Sequence, residues 1–272
     1  MRKNELELRE IQLEGLKVLK KIKEICEKEN IKYFLTYGTL IGAVRHNGFI
    51  PWDDDIDIAM LREDYEKFIE YCIKNKEILY PFELKHYKTD KNYIYPIARF
   101  CNKEYFIEYN LAKDYGLGIF VDIYPLDNYK KNIFFVKRMR MRNLIIVLAG
   151  LKKYQPSKKG IIKSILKYFF YFYSQKINLN KYIEKSDLLA QRYNNNTIEN
   201  VECTVWDYEY NEIPKACFLE TILQKFEDDY FPIPKGYDKY LKLYYGDYMK
   251  LPRKEERVPH HNYKVYRKKC KE

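Results

Sequence analysis

The sequence has little of what marks a membrane-spanning or secreted chain. The apolar stretch 144–151 is far shorter than the roughly 20 residues that a spanning helix needs, so we predict no membrane-spanning segment. Residues 1–10 are charged along their length and lack an apolar core, which is not typical of a signal peptide. These absences predict a cytoplasmic protein.

Cysteine is present but unpatterned. The six cysteines are scattered along the chain, and none belongs to a Cys-x-x-Cys pair. Zinc sites and disulfide frameworks both depend on characteristic cysteine spacings. The pattern therefore favours free thiols in a reducing compartment.

Acidic residues are missing from residues 128–181, which hold fourteen Lys and Arg residues in a chain of net charge +11. Apolar side chains recur there at helical spacing, which predicts a basic helical insertion over residues 128–196. This insertion either contacts something anionic, such as the inner membrane surface or a lipid-linked acceptor, or is an ordinary helical segment with solvated lysines.

The positive charge and the 17% aromatic content also raise the alternative of a nucleic-acid-binding protein. Against it, the basic region is an aromatic-rich helical stretch without a recognisable nucleic-acid module. We therefore predict no nucleic-acid partner.

What the chain does have is a cluster of four aspartates within residues 53–57, soon after an Asn-Gly turn. Strand side chains alternate between faces, so Asp53, Asp55 and Asp57 share one side and Asp54 faces the other. Neighbouring carboxylates on one side lie roughly 7 Å apart at Cα. Two of them can converge on one hard cation, which predicts a site for Mg²⁺ or Mn²⁺.

Hydrophobic periodicity alternates between helix and strand along residues 1–127. Helical spacing and strand-like runs predict helices over 4–29 and 62–75, and strands over 33–37, 56–60, 82–87, 94–102 and 119–124. This order predicts an α+β core with flanking helices over residues 1–127. Beyond residue 200, irregular segments with Pro and Tyr alternate with short helices such as 237–245.

Three ordered motifs carry a family resemblance. They are Tyr-Gly-Thr-Leu-Ile-Gly-Ala-Val-Arg-His at 37–46 with Phe-Ile-Pro-Trp-Asp-Asp-Asp-Ile-Asp at 49–57, Gly-Ile-Phe-Val-Asp-Ile-Tyr-Pro at 118–125, and the Tyr-rich segment 233–252 followed by His260 and His261. Together they resemble the LicD family of phosphotransferases, which includes fukutin and fukutin-related protein. The likeness covers about residues 20 to 262 and implies a nucleotidyltransferase-like mixed sheet, with residues 197–272 completing the domain.

The resemblance implies roles for the aspartates. Asp55 and Asp57 would be catalytic metal ligands, with Asp53 as a further ligand, although the family pattern needs only two aspartates on this strand. Asp122 would supply the third carboxylate, as a metal ligand or as the base toward the incoming hydroxyl. The alternative for Asp122 is a strand-end residue that caps the following turn.

Four further residues are candidates for binding the donor's phosphates. Gly38 and Thr39 would place backbone amides and a hydroxyl against a phosphate at a helix start. Arg45 follows one or two turns later and could pair with a phosphate, although a plain surface arginine is nearly as good an interpretation. Arg99 is a charge in an apolar strand, which a phosphate or carboxylate partner would explain.

The resemblance also implies a reaction. Its donor is a CDP-linked alcohol, typically CDP-choline, from which phosphocholine moves to a hydroxyl of a cell-surface glycan or lipid-linked glycan and CMP leaves. Lipopolysaccharide, teichoic acid or capsule would be the acceptor, and fukutin-type relatives transfer ribitol phosphate instead. The main alternative within this fold is transfer of a nucleoside monophosphate from a nucleoside triphosphate to a small hydroxylated acceptor.

Overall fold

The computed structural model describes residues 5–157, 160–206, 210–259 and 263–268. His260 and His261 lie outside these ranges. The helices within them are α1 Leu8–Glu29, α2 Tyr37–His46, α3 Arg62–Lys74, α4 Ile133–Ala149, α5 Ile161–Lys176, α6 Leu179–Ala190, α7 Ala216–Leu219 and α8 Tyr237–Tyr245. The strands are β1 Phe34–Leu35, β2 Asp57–Leu61, β3 Phe82–Lys85, β4 Ala98–Asn102, β5 Tyr105–Tyr109, β6 Ile119–Asn128, β7 Asn200–Glu202, β8 Ile213–Pro214, β9 Thr221–Phe226, β10 Asp229–Pro234 and β11 Tyr263–Arg267.

A seven-stranded mixed sheet forms the centre of the fold, which confirms the predicted α+β class. Its main path runs β1-β2-β6-β4-β3, and β7 and β8 extend it from the far end of β6. β2 and β6 are parallel, whereas the other neighbouring strands along this path are antiparallel. The helices α1 and α3 pack on the sheet, with their apolar side chains in one continuous core.

Strand register across β2, β6 and β4 brings three charged side chains together. Asp57 on β2 pairs with Asp122 on β6, and Asp122 pairs with Arg99 on β4. Directly opposed residues in a sheet point to the same face. The fold therefore places two predicted carboxylates and the predicted arginine side by side.

A second group of charged residues, around Arg62, stabilises the fold. Arg62, at the start of α3, is buried and contacts Asp127 on β6 through two hydrogen bonds of 2.8 and 2.6 Å. Its guanidinium also donates to Asp187 on α6 at 2.9 Å. A buried, multiply hydrogen-bonded arginine of this kind fixes α3 and α6 on the strand that carries Asp122.

The C-terminal part contains more strand than the sequence predicted. β9 and β10 form a two-stranded hairpin, and β11 pairs with β5. The sequence predicts irregular segments with Pro and Tyr here, whereas Pro232 and Pro234 lie within β10. In a two-stranded hairpin each strand has a free edge, so a missing N–H is tolerated there.

Helices α4, α5 and α6 occupy the chain between β6 and β7, and α4 packs against both of the others. Among the residues that the structure describes, no helix is both long and apolar enough to cross a bilayer. The described cysteines, five in number, are buried free thiols, as predicted.

Candidate active site

The start of α2 is shaped to receive a carboxylate. Tyr37 has a positive φ of 45°, and Gly38 follows it at the beginning of the helix. A Cβ atom on Gly38 would lie 2.8 Å from the Asp53 Oδ2 atom, closer than side chains normally approach. The hydroxyl of Thr39 is buried and accepts a hydrogen bond of 2.8 Å from the Asp57 backbone N–H. Gly38 thus makes room for one aspartate, and Thr39 holds the strand that begins with another.

Asp57 is a buried carboxylate surrounded by like charges. Burial, and then the negative charges of Asp55, Asp122 and Asp53, raise the pKa of the Asp57 carboxyl well above its usual range. A hydrogen bond from the Tyr124 hydroxyl opposes this rise. Within the described residues, the Asp57 Oδ1 atom is buried without a hydrogen-bond partner. Such an oxygen is costly unless something else binds it.

Asp122 is held by an arginine. Arg99 Nε donates to Asp122 Oδ1 at 2.5 Å, and Arg99 Nη2 donates to Oδ2 at 3.3 Å. Both side chains are buried. The guanidinium lies over the rings of Tyr95 and Phe120, at 3.9 and 4.2 Å from their centroids. This geometry fixes the direction of the Asp122 carboxylate and gives Arg99 the carboxylate partner that its sequence position required.

Asp54 lies nearer to its neighbours than strand alternation predicts. Residues 53–56 are irregular, because β2 begins only at Asp57. One carboxylate oxygen from each of Asp53, Asp54 and Asp55 lies within 4.8 Å of the others. Asp54 itself lines a crevice of about 10 Å³ between α1, β5 and β11 and is not among the residues that line the two larger cavities described below.

A large cavity of about 780 Å³ opens in front of the aspartates. One wall holds Gly38, Arg45, Asp53, Asp55 and Asp57. The opposite wall comes from the C-terminal motif and includes Tyr245, Asp247, Tyr248, Lys250, Arg253 and Glu256. Two motifs that are far apart in the sequence therefore line one site.

Arg45 is half-buried in this cavity. Its Nη1 atom donates to the Tyr248 carbonyl at 2.7 Å, which connects α2 to the C-terminal wall. Burial, followed by the charge of Arg257, lowers the pKa of Arg45 from its ordinary value. Among the described residues Arg45 forms no ion pair. A half-buried cation without a carboxylate partner is suited to an anionic ligand.

A smaller cavity of about 360 Å³ also borders the aspartates. It contains Asp122 and Arg99, and Asp55 lines both cavities. Aromatic side chains dominate the remaining wall: Tyr95, Tyr109, Phe120, Tyr124, Trp206 and Tyr263. The hydroxyl of Tyr109 is buried and has no hydrogen-bond partner within the described part of the chain.

The structure thus distributes the candidate residues over two cavities that share Asp55. Asp53, Asp57, Gly38 and Arg45 line the large one, Asp122 and Arg99 line the small one, and Asp55 lies between them, whereas Thr39 supports the backbone from behind. Sequence reasoning missed Tyr124, although it lies two positions after Asp122 in a strand and so shares its face. It also missed the individual cavity residues of segment 245–256, because no local pattern connects them to the aspartates.

Comparison with known proteins finds relatives of this chain. A family model described as "LicD/FKTN/FKRP, nucleotidyltransferase domain" matches residues 30–145, which include all of the candidate aspartates. Lipopolysaccharide cholinephosphotransferase LicD of Haemophilus influenzae is 32% identical over 276 residues, a span that covers 96% of this chain and 98% of that protein. Ribitol 5-phosphate transferase FKRP of Homo sapiens is 42% identical over 40 residues, which cover 15% of this chain and 8% of that protein.

The match to the Haemophilus protein extends over nearly the whole of both chains, so it includes the C-terminal wall of the large cavity as well as the aspartates. On this similarity the chain belongs to the LicD/FKTN/FKRP family.

Proposed function

We propose that this protein transfers phosphocholine from CDP-choline to a hydroxyl of a cell-surface glycan, and that the transfer depends on a divalent cation. The observation that carries the proposal is the position of Asp55, which lines two cavities of different chemistry at one carboxylate cluster. A displacement at phosphorus needs the leaving group and the attacking group on opposite sides. The similarity to a lipopolysaccharide cholinephosphotransferase supports the choice of the alcohol and of a glycan acceptor.

The residues fit a hard divalent cation. The donor set consists of carboxylate oxygens, which Mg²⁺ and Mn²⁺ prefer. The unpartnered Oδ1 atom of Asp57 is the observation that favours a bound cation. We assign Asp55 and Asp57 as its ligands, with Asp53 and Asp122 as the neighbouring carboxylates of the same cluster. When bound there, the cation offsets the negative charge that develops on the leaving nucleotide.

The large cavity is the better site for the nucleotide. It holds the cations Arg45 and Lys250, which can pair with a pyrophosphate, whereas the third cation, Arg253, already contacts Glu256 at 2.7 Å. It also holds Trp52, an aromatic ring of the kind that packs on a base or ribose, with the Arg257 guanidinium 5.4 Å from its centroid. Gly38 at the start of α2 adds helix N-terminal amides on the same wall.

The small cavity is the better site for the acceptor. Its only cation within the described residues is Arg99, and that guanidinium is already bound to Asp122. The cavity therefore suits a neutral, hydroxylated group more than a phosphate. Aromatic walls pack well against sugar rings, and the unpartnered Tyr109 hydroxyl can hydrogen-bond an acceptor hydroxyl.

In this arrangement, the acceptor oxygen forms a bond to the choline-bearing phosphorus while the bond from that phosphorus to the CMP oxygen breaks. The proton of the acceptor hydroxyl passes to a carboxylate, and we assign this role to Asp122 because it faces the small cavity. Arg99 acts as a positioning residue that keeps the Asp122 carboxylate directed at the acceptor.

A panel of nucleotide donors tests the proposal. The purified protein is incubated with Mg²⁺, a glycan acceptor and CDP-choline, CDP-ribitol or CDP-glycerol, and CMP release is measured. We expect CMP from CDP-choline and label from the choline moiety on the acceptor. Release of pyrophosphate from a nucleoside triphosphate, with the nucleotide label on the acceptor, would instead support nucleotidyl transfer. Turnover with none of these donors would refute both assignments.

A further inference from the structure

Helix α5 exposes an unusual amount of apolar surface. Only Ser174 among its sixteen residues is buried. Eight large apolar or aromatic side chains on this helix are exposed: Ile161, Ile162, Ile165, Leu166, Tyr168, Phe169, Phe172 and Tyr173. Their spacing along the chain places them along one side of the helix. We call this side of α5 the exposed apolar face.

The segment that carries this face has charges of one sign. Lys163, Lys167 and Lys176 lie on α5, and residues 128–181 contain no Asp or Glu at all. A helix with an apolar face, flanking lysines and no acidic residues has the composition of helices that lie in the interface of an anionic bilayer. A partner protein would have to be both apolar and strongly acidic, whereas an anionic lipid surface combines these two properties over a large area.

The position of α5 relative to the small cavity gives the face a function. Val147, Gly150 and Leu151, at the end of α4, form part of the wall of that cavity. Gln175, near the end of α5, donates to the Leu148 carbonyl at 3.2 Å and accepts from Lys113 at 2.8 Å. The helix is thus attached beside the wall of the small cavity.

We propose that the exposed apolar face of α5 docks on an anionic membrane surface and so places the small cavity beside lipid-anchored acceptors. The docking stands on α5 alone, whereas the delivery of the acceptor rests on the proposed function. Binding to vesicles tests the first part, and the choice of acceptor tests the second.

The direct test is sedimentation of the full chain with vesicles that contain phosphatidylglycerol, at low and at high salt, with phosphatidylcholine vesicles for comparison. Wild-type protein should bind the anionic vesicles and release partly at high salt. The triple variant Lys163→Gln, Lys167→Gln, Lys176→Gln should bind about a hundredfold more weakly, because each lysine near such a surface contributes about a factor of five at low salt. Ile162→Ser with Phe169→Ser should weaken binding at least tenfold.

Matched control variants test whether the position of these residues on α5 matters, and not only the loss of charge or of apolar surface. Lys17→Gln, Lys74→Gln and Lys235→Gln remove the same charge from lysines elsewhere on the surface. Ile78→Ser with Leu223→Ser removes two apolar side chains that are each 70% exposed. Both controls should bind vesicles within about threefold of wild type. Equal losses of binding in the control variants, or no binding by the wild type at low salt, would overturn the docking proposal. A wild-type protein that is a dimer, and that becomes a monomer in the Ile162→Ser with Phe169→Ser variant, would overturn it as well.

The second part is measured by transfer. The α5 variants should lose turnover with a lipid-linked glycan in vesicles and keep turnover with a soluble oligosaccharide. If both activities fall together in folded variants, α5 serves the reaction in another way. If no donor is used at all but vesicle binding follows the predicted order, the docking proposal stands and the proposed function fails.

Discussion

Replacement of Asp57 by Asn is the sharpest perturbation of the proposed site. Asn is nearly isosteric with Asp but cannot ionise and is a poor ligand for a hard cation. The change therefore removes one buried negative charge from a cluster in which Asp53, Asp55 and Asp122 oppose it. We expect two opposite effects, a loss of activity and a gain in stability of the metal-free protein.

The magnitudes follow from the contacts of the carboxylate. Charge stabilisation by a bound cation is worth several kcal/mol in the transition state, so turnover should fall about a thousandfold or more. The Asp57 Oδ1 atom is buried and unpartnered within the described residues. Asp57→Asn keeps an uncharged polar atom at this position, so the gain in stability comes from the loss of a buried charge that Asp53, Asp55 and Asp122 repel. Its removal is worth about 1–3 kcal/mol, which corresponds to roughly 2–4 °C in Tm for each kcal/mol in a chain of this size.

The raised pKa of Asp57 also predicts how the stability of the metal-free protein depends on pH. The raised pKa of Asp57 means that the folded protein binds this proton more readily than the unfolded chain. Stability of the metal-free wild type should therefore rise as the pH falls through the raised pKa toward about 3.9, the ordinary value for Asp. Asp57→Asn lacks this titration, so its advantage in Tm should shrink as the pH is lowered.

Thermal unfolding in EDTA and in Mg²⁺, measured beside CMP release, provides the test. Mg²⁺ should increase the free energy of unfolding of the wild type by mass action, by about 2.7 kcal/mol at a hundred times its Kd, and so raise its Tm. The effect of Mg²⁺ on Asp57→Asn should be much smaller. Asp64→Asn, a change in the first turn of α3 outside both cavities, is the control and should keep activity and its response to Mg²⁺. Near wild-type turnover in Asp57→Asn would refute the metal site, and a lower Tm in EDTA would refute the account of buried repulsion.

Three other changes test separate parts of the site. Exhaustive EDTA treatment should abolish CMP release and Mg²⁺ or Mn²⁺ should restore it without zinc; full activity in EDTA would contradict the cation requirement. Arg45→Gln should raise the KM for CDP-choline about tenfold or more, and an unchanged KM would place the phosphates elsewhere. Gly38→Ala puts a Cβ atom 2.8 Å from Asp53 Oδ2, so turnover should fall at least tenfold at nearly unchanged Tm; unchanged turnover would show that the position of Asp53 does not matter.

The sequence was sufficient to predict the parts of the fold that depend on local pattern. The helices α1 and α3, the central strands and the short helix α8 were predicted within a few residues, because amphipathic spacing sets them. The partnership of Asp57 with Asp122 was not a local property. It depends on the parallel pairing of β2 with β6, which only the folded sheet determines.

The residues that form the C-terminal wall of the large cavity could not be predicted from local pattern either. Segment 245–256 faces the aspartates because α8 and the hairpin β9–β10 pack on the elements around α2. That hairpin was missed, since beyond residue 200 the sequence predicted irregular segments that alternate with short helices. Motif order alone indicated that the C-terminal segment mattered, while its contact with Arg45 through the Tyr248 carbonyl could only be found in the structure.

The way in which the protein compensates the charges in its carboxylate cluster also argues for a cation. The charge of Asp122 is neutralised by Arg99. The hydrogen bond of 2.8 Å from Gln12 to the Asp53 carbonyl fixes the backbone of the cluster without changing its charge. For the side chain of Asp57, by contrast, burial and like charges outweigh the one hydrogen bond from Tyr124. Unfavourable charge that a fold leaves uncompensated is expected at functional sites. The net negative charge that remains around Asp57 is therefore what we expect a bound divalent cation to neutralise, and its removal by Asp57→Asn should make Mg²⁺ dispensable for stability while turnover is lost.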